Sequence, residues 1–429
     1  LSSVFLQFDQ PGSTVWLYAA GALAVACFLQ FTRLFTLRNL DLLLLGLFAP
    51  GFLLIEDAAR NGNAAERLAG YAWLLTASGV WFVRCLLDGL IVRRPRVAPN
   101  LTPPGLFWLS GALLLGLSAV TAVKPVESEK VGRPTAAVSG VEKTAAAVVG
   151  QAQADADTPP EVVRAWASRG LALICQAAVV VLLVLICLKH FQDATTAATA
   201  AALYLLLPPT AYEFDQSHHV WPTAFVLGAV LAFRRPSTAG LLLGLAAGTS
   251  FFPLVLFPAW WQFYHGRGSG RFAVWFAAAV GGGLLVSVLA LALAGEYTSG
   301  VWQALNLAEW QPWKVPMAES VWTGGKWVYR LPLFIAYLGF VLGTYFWPKA
   351  RNLGQLLAVS GAALLGIQFW YADRGGLYVL WYAPLLILMI LRPTAMHLTP
   401  PGVNGIHLFG WLRRKTPTDV APVPPGLAV

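Results

Sequence analysis

An all-α fold, a polytopic transmembrane helical bundle of about twelve spans, is what this sequence predicts, and three observations predict it. Of 429 residues 57% are hydrophobic and 11% charged, with a mean hydropathy of +0.64, an apolar content beyond what a soluble core requires. Apolar runs close to the roughly 20 helical residues that cross a hydrocarbon core recur along the whole chain. The short loops between them alternate between basic and acidic, the charge bias that sets membrane orientation.

The runs lie near residues 15–31, 40–55, 69–91, 105–123, 170–188, 194–211, 219–233, 238–263, 272–294, 331–347, 353–370 and 376–391. The loops "FTRLFTLRN", "VRRPR", "LKHFQD", "FRRPS" and "WPKARN" and the "RRK" of the tail are basic and assign one face to the cytoplasm. On that topology sixteen of the twenty Asp and Glu residues fall in outward loops, while Asp41, Asp193 and Asp419 fall inside and Asp88 lies within a span. The first span would run from outside to inside, so a helix upstream of Leu1 is expected; no cleavable signal peptide is visible.

The chain divides accordingly. Residues 1–123 form N-terminal transmembrane helices, and 124–168 an extracytoplasmic linker rich in Ala, Val, Thr and charge. Residues 169–294 are a central transmembrane block, 295–330 an extracytoplasmic loop with five tryptophans, 331–392 the C-terminal transmembrane helices, and 393–429 a basic, Pro-rich cytoplasmic tail.

Within the central block, 234–271 is the unusual stretch. Two apolar arms of about ten residues, each too short to span, meet at Ser250–Pro253, and Arg234 and Arg235 flank one outer end, Arg267 and Arg271 the other. Basic clusters at both ends favour a re-entrant hairpin anchored at the cytoplasmic face; a single tilted span kinked at proline is the alternative.

Composition also excludes function classes. A net charge of +9 would suggest nucleic acid in a soluble protein, but here positive-inside loops and anionic headgroups account for it, so no nucleic-acid partner is expected. Cys27, Cys85, Cys175 and Cys187 sit in apolar segments without ligand spacing and read as buried small hydrophobes. No phosphate-binding loop, dinucleotide fingerprint, zinc-protease or serine-hydrolase motif stands in a usable context.

Chemistry must therefore come from polar groups at the membrane. Glu56 and Asp57 form an acidic pair at the outer end of the second span, placed either to end a helix at the interface, to act as general base, or to hold a divalent cation on phosphate. The loop "AYEFDQSHHVWP" gathers Glu213, Asp215, Gln216, His218 and His219. It reads either as an ordinary polar loop or as a sugar or phosphate contact, and adjacent histidines serve one site only from a non-helical conformation. Arg84 and Asp88, four residues apart, form a structural ion pair on one helix face. In the last long loop, Trp310 and Trp313 offer faces for sugar stacking or interfacial anchoring, and Lys326 and Arg330 can meet a lipid-linked phosphate.

Residues 159–393 resemble the GT-C glycosyltransferases that use polyprenyl-phosphate-linked sugars, in particular the bacterial mannosyl- and arabinosyltransferase-like branch. The resemblance lies in the succession of "TPPEVVRAWASRGLALICQAAVVVLLVL", of the polar loop and basic turn followed by "AGLLLGLAAGTSFFPLVLFPAWW", and of "GGLYVLWYAPLLIL". Where members of that family often carry Lys-Pro after the "LAA" arm, this chain has Ser250 and Phe251. The resemblance implies a multi-pass protein of the inner (cytoplasmic) membrane that transfers a sugar from a polyprenyl-phosphate donor to a lipid, glycan or protein acceptor at the extracytoplasmic face. It would use a carboxylate base in an outer loop, for which Asp57, Glu56, Asp9 and Asp215 are the candidates. Arg330, His218 and His219 would stabilise the departing phosphate, with Gln216 as a further substrate contact and a divalent cation as the one metal admitted. The alternatives are a non-catalytic membrane subunit that works with a protein partner, and a polysaccharide ligase or transporter.

Overall fold

The computed structural model describes residues 13–32, 34–91, 98–123, 160–215, 217–293, 312–313, 321–322, 326–347, 352–371, 378–393 and 398–400. Helix is the one regular structure among them, joined by turns, and no strand occurs in the described residues. The α-helices are α1 (Ser13–Phe28), α2 (Leu37–Gly46), α3 (Phe48–Asn61), α4 (Ala64–Leu87), α5 (Pro103–Val123), α6 (Pro160–Ile186), α7 (Ala194–Leu206), α8 (Pro208–Tyr212), α9 (Ser217–Leu231), α10 (Pro236–Thr249), α11 (Phe257–Phe263), α12 (Ser269–Leu293), α13 (Arg330–Gly343), α14 (Leu353–Ile367) and α15 (Ala383–Leu391). Five stretches among the described residues are long and apolar enough to cross a membrane: Leu37–Ala58, Ala64–Leu90, Pro103–Val123, Trp166–Phe191 and Ser269–Val286. Shorter apolar helices, Val15–Phe28, Ala194–Leu206, His219–Leu231 and Leu353–Ile367, pack beside them.

Hydrophobicity on all sides of a helix demands burial on all sides, and that decides the centre of the bundle. In α7, alanine-rich and without a polar face, residues Thr196 to Leu206 are all buried, and the same holds for every residue of α15 and for all of α14 but Gln355. The rim is the reverse: α1, α5, α12 and α13 expose Tyr18, Trp108, Leu115, Val286 and Ile335. A belt of exposed large apolar side chains around a filled core belongs in lipid, where backbone groups must be satisfied within the helices themselves. This is a membrane protein.

Helix starts are set by short polar side chains that take up the orphan N–H groups of a first turn. Asn63 accepts from Ala65 and Glu66 at α4, Asp193 from Thr195 and Thr196 at α7, and Asn352 from Gln355 at α14. Capping therefore accounts for Asp193, one of the few acidic residues on the basic side.

The segment 233–271 doubles back on itself. α10 ends at Ser250, a 3-10 turn covers Phe252–Leu256, and α11 returns to Tyr264, whose hydroxyl donates to the carbonyl of Phe233 at 2.7 Å. Helix α12 then sets out from the same end alongside α10. A Cβ on Gly240 would come 2.4 Å from the Phe272 carbonyl oxygen and one on Gly244 2.5 Å from that of Phe276, while Gly248 meets Gly283. Small residues every four positions let the two backbones touch. Of the "GGG" run, Gly283 makes such a contact, whereas Cβ atoms on Gly281 and Gly282 would meet nothing.

At the end marked by Arg234 and Arg267 lies a buried ion network. Arg84 grips Asp41 with two hydrogen bonds, Nε to Oδ1 at 2.6 Å and Nη2 to Oδ2 at 2.8 Å, and reaches Asp88 Oδ1 at 3.2 Å. Arg392, from the end of α15, donates to the second Asp88 oxygen at 2.6 Å. The expected Arg84–Asp88 pair is present, but as the weaker arm of a network tying α2, α4 and α15. All four cysteines are buried and free.

Candidate functional site

At the opposite end of the bundle the helix ends converge on an aromatic-lined polar cluster. Pro208 starts α8 where a missing N–H costs nothing, and after one turn the chain leaves Glu213 and Asp215 inside the protein at 1% and 5% exposure. Gln176 of α6 fixes this bend: its amide donates to the Phe214 carbonyl at 3.4 Å, and its Oε1 accepts the Tyr204 hydroxyl at 2.6 Å. Helix α9 begins at Ser217, so His219 projects from the first turn of a helix. His218 and His219 therefore lie in a helix rather than in the expected non-helical loop.

His219 is buried, with its Nε2 3.9 Å from Glu213 Oε1 and its Nδ1 accepting the Trp381 indole N–H at 3.2 Å. The first distance exceeds a hydrogen bond and leaves the carboxylate and the imidazole side by side. Thr223 positions Trp381 by bonding the Leu380 carbonyl at 3.2 Å. Around them, Tyr378 stacks on Trp381 with centroids 4.3 Å apart and also faces the His219 ring at 5.0 Å.

The tip of the doubled-back segment enters this cluster. Phe252 stacks on the other face of the same wall, 4.1 Å and 10° from Trp381, and Phe251 contacts both Trp381 and Tyr371. Ser250–Pro253, which interrupts the apolar arms, thus supplies two rings that hold the indole in place.

Arg330, the first residue of α13, closes the far side. It is 1% exposed, and its Nε donates to the Trp370 carbonyl at 3.0 Å, next to Tyr371. Burial lowers the pKa of its guanidinium from the ordinary range, with Tyr371 acting in the opposite direction. Tyr371 and Tyr378 lie 5.6 Å apart, so a continuous aromatic wall runs from Arg330 to His219.

The other expected site residues are dispersed. Glu56 is half-buried and Asp57 exposed on the last turns of α3, which reaches the cluster's rim through Phe52 packing on Tyr212 at 5.6 Å. Lys326 and Trp313 are exposed. Asp9, Gln216 and Trp310 lie outside the described residues, as does the side chain of His218. Among the described residues no group of three or more His, Cys, Asp or Glu converges to hold a metal ion.

Sequence reasoning gave Glu213 no catalytic role, and missed Trp381 and the Tyr371–Tyr378 wall. The density of aromatics in "FWYADRGGLYVLWYAP" was the available signal. Arg169, buried on α6 with its guanidinium 5.8 Å over the Trp166 ring, is a further cation that hydropathy hid. In comparisons with known proteins, no family model, no curated protein and no solved structure matches this chain.

Proposed function

We propose that the chain is an integral membrane glycosyltransferase of about twelve spans with a GT-C-like fold, seated in the inner membrane. It transfers a sugar from a polyprenyl-phosphate donor to a lipid, glycan or protein acceptor at the extracytoplasmic face. One observation carries the reading: a carboxylate, an imidazole and a guanidinium, Glu213, His219 and Arg330, are held on one aromatic wall at the end of the bundle opposite the basic loops. Flat rings suit the apolar faces of a sugar, and a fixed guanidinium suits a phosphate leaving group.

In this reaction Glu213 takes the proton of the acceptor hydroxyl as that oxygen bonds to the anomeric carbon. The bond from that carbon to the donor phosphate oxygen breaks, and the polyprenyl phosphate leaves with its charge met by Arg330 and by the N–H of His219. Asp57, Glu56, Asp215 and Asp9 are the other candidates for the base. The test is transfer from radiolabelled polyprenyl-phosphate mannose or arabinose in proteoliposomes. Glu213→Gln is expected to lower the rate by about 100-fold or more. If it and Asp57→Asn, Glu56→Gln, Asp215→Asn and Asp9→Asn all leave transfer at the wild-type rate, the general-base assignment is wrong.

The closure of the pair favours a second reading. Glu213 and His219 are each 1% exposed, as in a structural core pair of a non-catalytic membrane subunit. That reading predicts a stoichiometric membrane protein partner on gentle purification and no transfer above protein-free vesicles.

A further inference from the structure

A groove with a cavity of about 740 Å³ runs between α6, α9 and α10, away from the Glu213 cluster. Its walls are apolar over most of their length, from Ile174, Ala178 and Leu182 on one side to Phe225 and Leu242 on the other. Its flank faces the surrounding medium, with Ile174 of the lining at 68% exposure. At one end the lining turns cationic: Lys189, Arg234 and Arg235 are exposed there beside His190.

The backbone is shaped at that end. α6 finishes in a π-turn over Cys187–Phe191, followed by Gln192 in the left-handed region at φ 54°. Such an inserted residue widens the helix and re-aims its side chains, and it recurs at functional positions. Here the turn brings His190 across to the α9 terminus, where its Nε2 donates to the Leu231 carbonyl at 2.9 Å, and sets Lys189 beside the Arg234–Arg235 pair. Asp193, the neighbouring carboxylate in sequence, is engaged in capping α7. The mouth therefore presents three cations.

From Ile174 to Lys189 the groove follows α6 for about 22 Å at the helical rise, close to half of a bilayer of about 40–45 Å including its headgroup regions. A channel one leaflet long, apolar along its side and cationic at its end, matches a single anionic lipid. We propose that this groove is a binding site for an anionic glycerophospholipid of the leaflet on the basic side, with an acyl chain along Ala178, Leu182 and Phe225 and the headgroup phosphate on Lys189, Arg234 and Arg235. The inference is independent of the transfer reaction proposed above.

The experiment measures retained lipid by native mass spectrometry of the purified full chain, equilibrated in mixed micelles with phosphatidylglycerol or phosphatidylcholine. Wild type is expected to prefer phosphatidylglycerol by about tenfold or more, as three interfacial cations allow. K189Q/R234Q/R235Q is expected to lose the preference, and Ala178→Trp, which fills the groove, to lower retention of both lipids. Equal retention of the two lipids by wild type overturns the proposal without recourse to any variant, as does a triple variant that keeps the preference. Displacement of phosphatidylglycerol by inorganic phosphate alone would reduce the site to a surface anion site, and displacement by polyprenyl phosphate at one-tenth the concentration would assign it to the wrong lipid; either result overturns it.

Discussion

The indole N–H of Trp381 points at Nδ1 of His219 from 3.2 Å. Indole can only donate, so Nδ1 must carry a lone pair, and in the neutral ring the proton sits on Nε2, facing Glu213. One hydrogen bond from a stacked tryptophan thus fixes the tautomer of a buried histidine, as second-sphere partners commonly do. Trp381→Phe keeps a ring against Phe252 and removes the donor. The ring-nitrogen shifts of selectively labelled His219 are expected to report a single Nε2-protonated form in wild type and a tautomer mixture in the variant. Transfer, on the proposed reaction, is expected to fall by about tenfold, less than for Glu213→Gln.

Arg84 holds Asp41 with two hydrogen bonds and shares Asp88 with Arg392, so its removal strands the buried Asp41. Arg84→Leu is expected to cost about 3–5 kcal/mol, the penalty of leaving buried charge uncompensated. Arg84→Lys does little better, since an ammonium cannot reproduce the paired bonds to Asp41. The double variant R84L/D41L removes the stranded charge with its partner and is expected to be more stable than Arg84→Leu alone. Thermal unfolding in detergent micelles checks the order; a double variant less stable than the single one would contradict it.

Much of the helical course was legible in the sequence, because a span has to be apolar over its whole length and composition alone then reports it. The run near 40–55 nonetheless breaks at Leu47 into α2 and α3, and the run near 194–211 breaks before Pro208, breaks that hydropathy averages away. Arg84 and Asp88 were readable as a pair from their spacing, but Asp41 and Arg392 come from distant helices and no local pattern could join them. The candidate site was legible only in pieces. Arg330 and His219 were singled out from charge and position, whereas the aromatic wall between them needs α9, α14 and the turn at Val379–Trp381 to be folded together.

The contact of α10 with α12 makes the glycines there testable against one another. A methyl group on Gly240 or Gly244 would drive into a backbone carbonyl that cannot turn aside, at 2.4 and 2.5 Å. Gly240→Ala and Gly244→Ala are each expected to lower stability by about 1–3 kcal/mol, the range for overpacking. Gly281→Ala and Gly282→Ala place their methyl groups in open space and gain helix propensity of up to about 1 kcal/mol. Unfolding in detergent separates the two pairs, and equal effects at all four positions would remove the packing argument.

The hydrogen bond from Tyr264 to Phe233 brings both ends of the doubled-back segment to one face, and its membrane disposition can be read by chemical labelling. The native cysteines are all buried, so an introduced surface cysteine reports with little background. Arg234→Cys and His265→Cys, both at exposed positions, are expected to react with a membrane-impermeant maleimide from the same side of oriented vesicles. Asn61→Cys, exposed at the end of α3, is expected to react from the other side. Labelling of 234 and 265 from opposite sides would mean that α10 and α11 together cross the bilayer as one kinked span. Labelling of 61 from the same side as 234 would instead invert the orientation assigned to α3, and with it the face on which Glu213 and Arg330 meet their substrate.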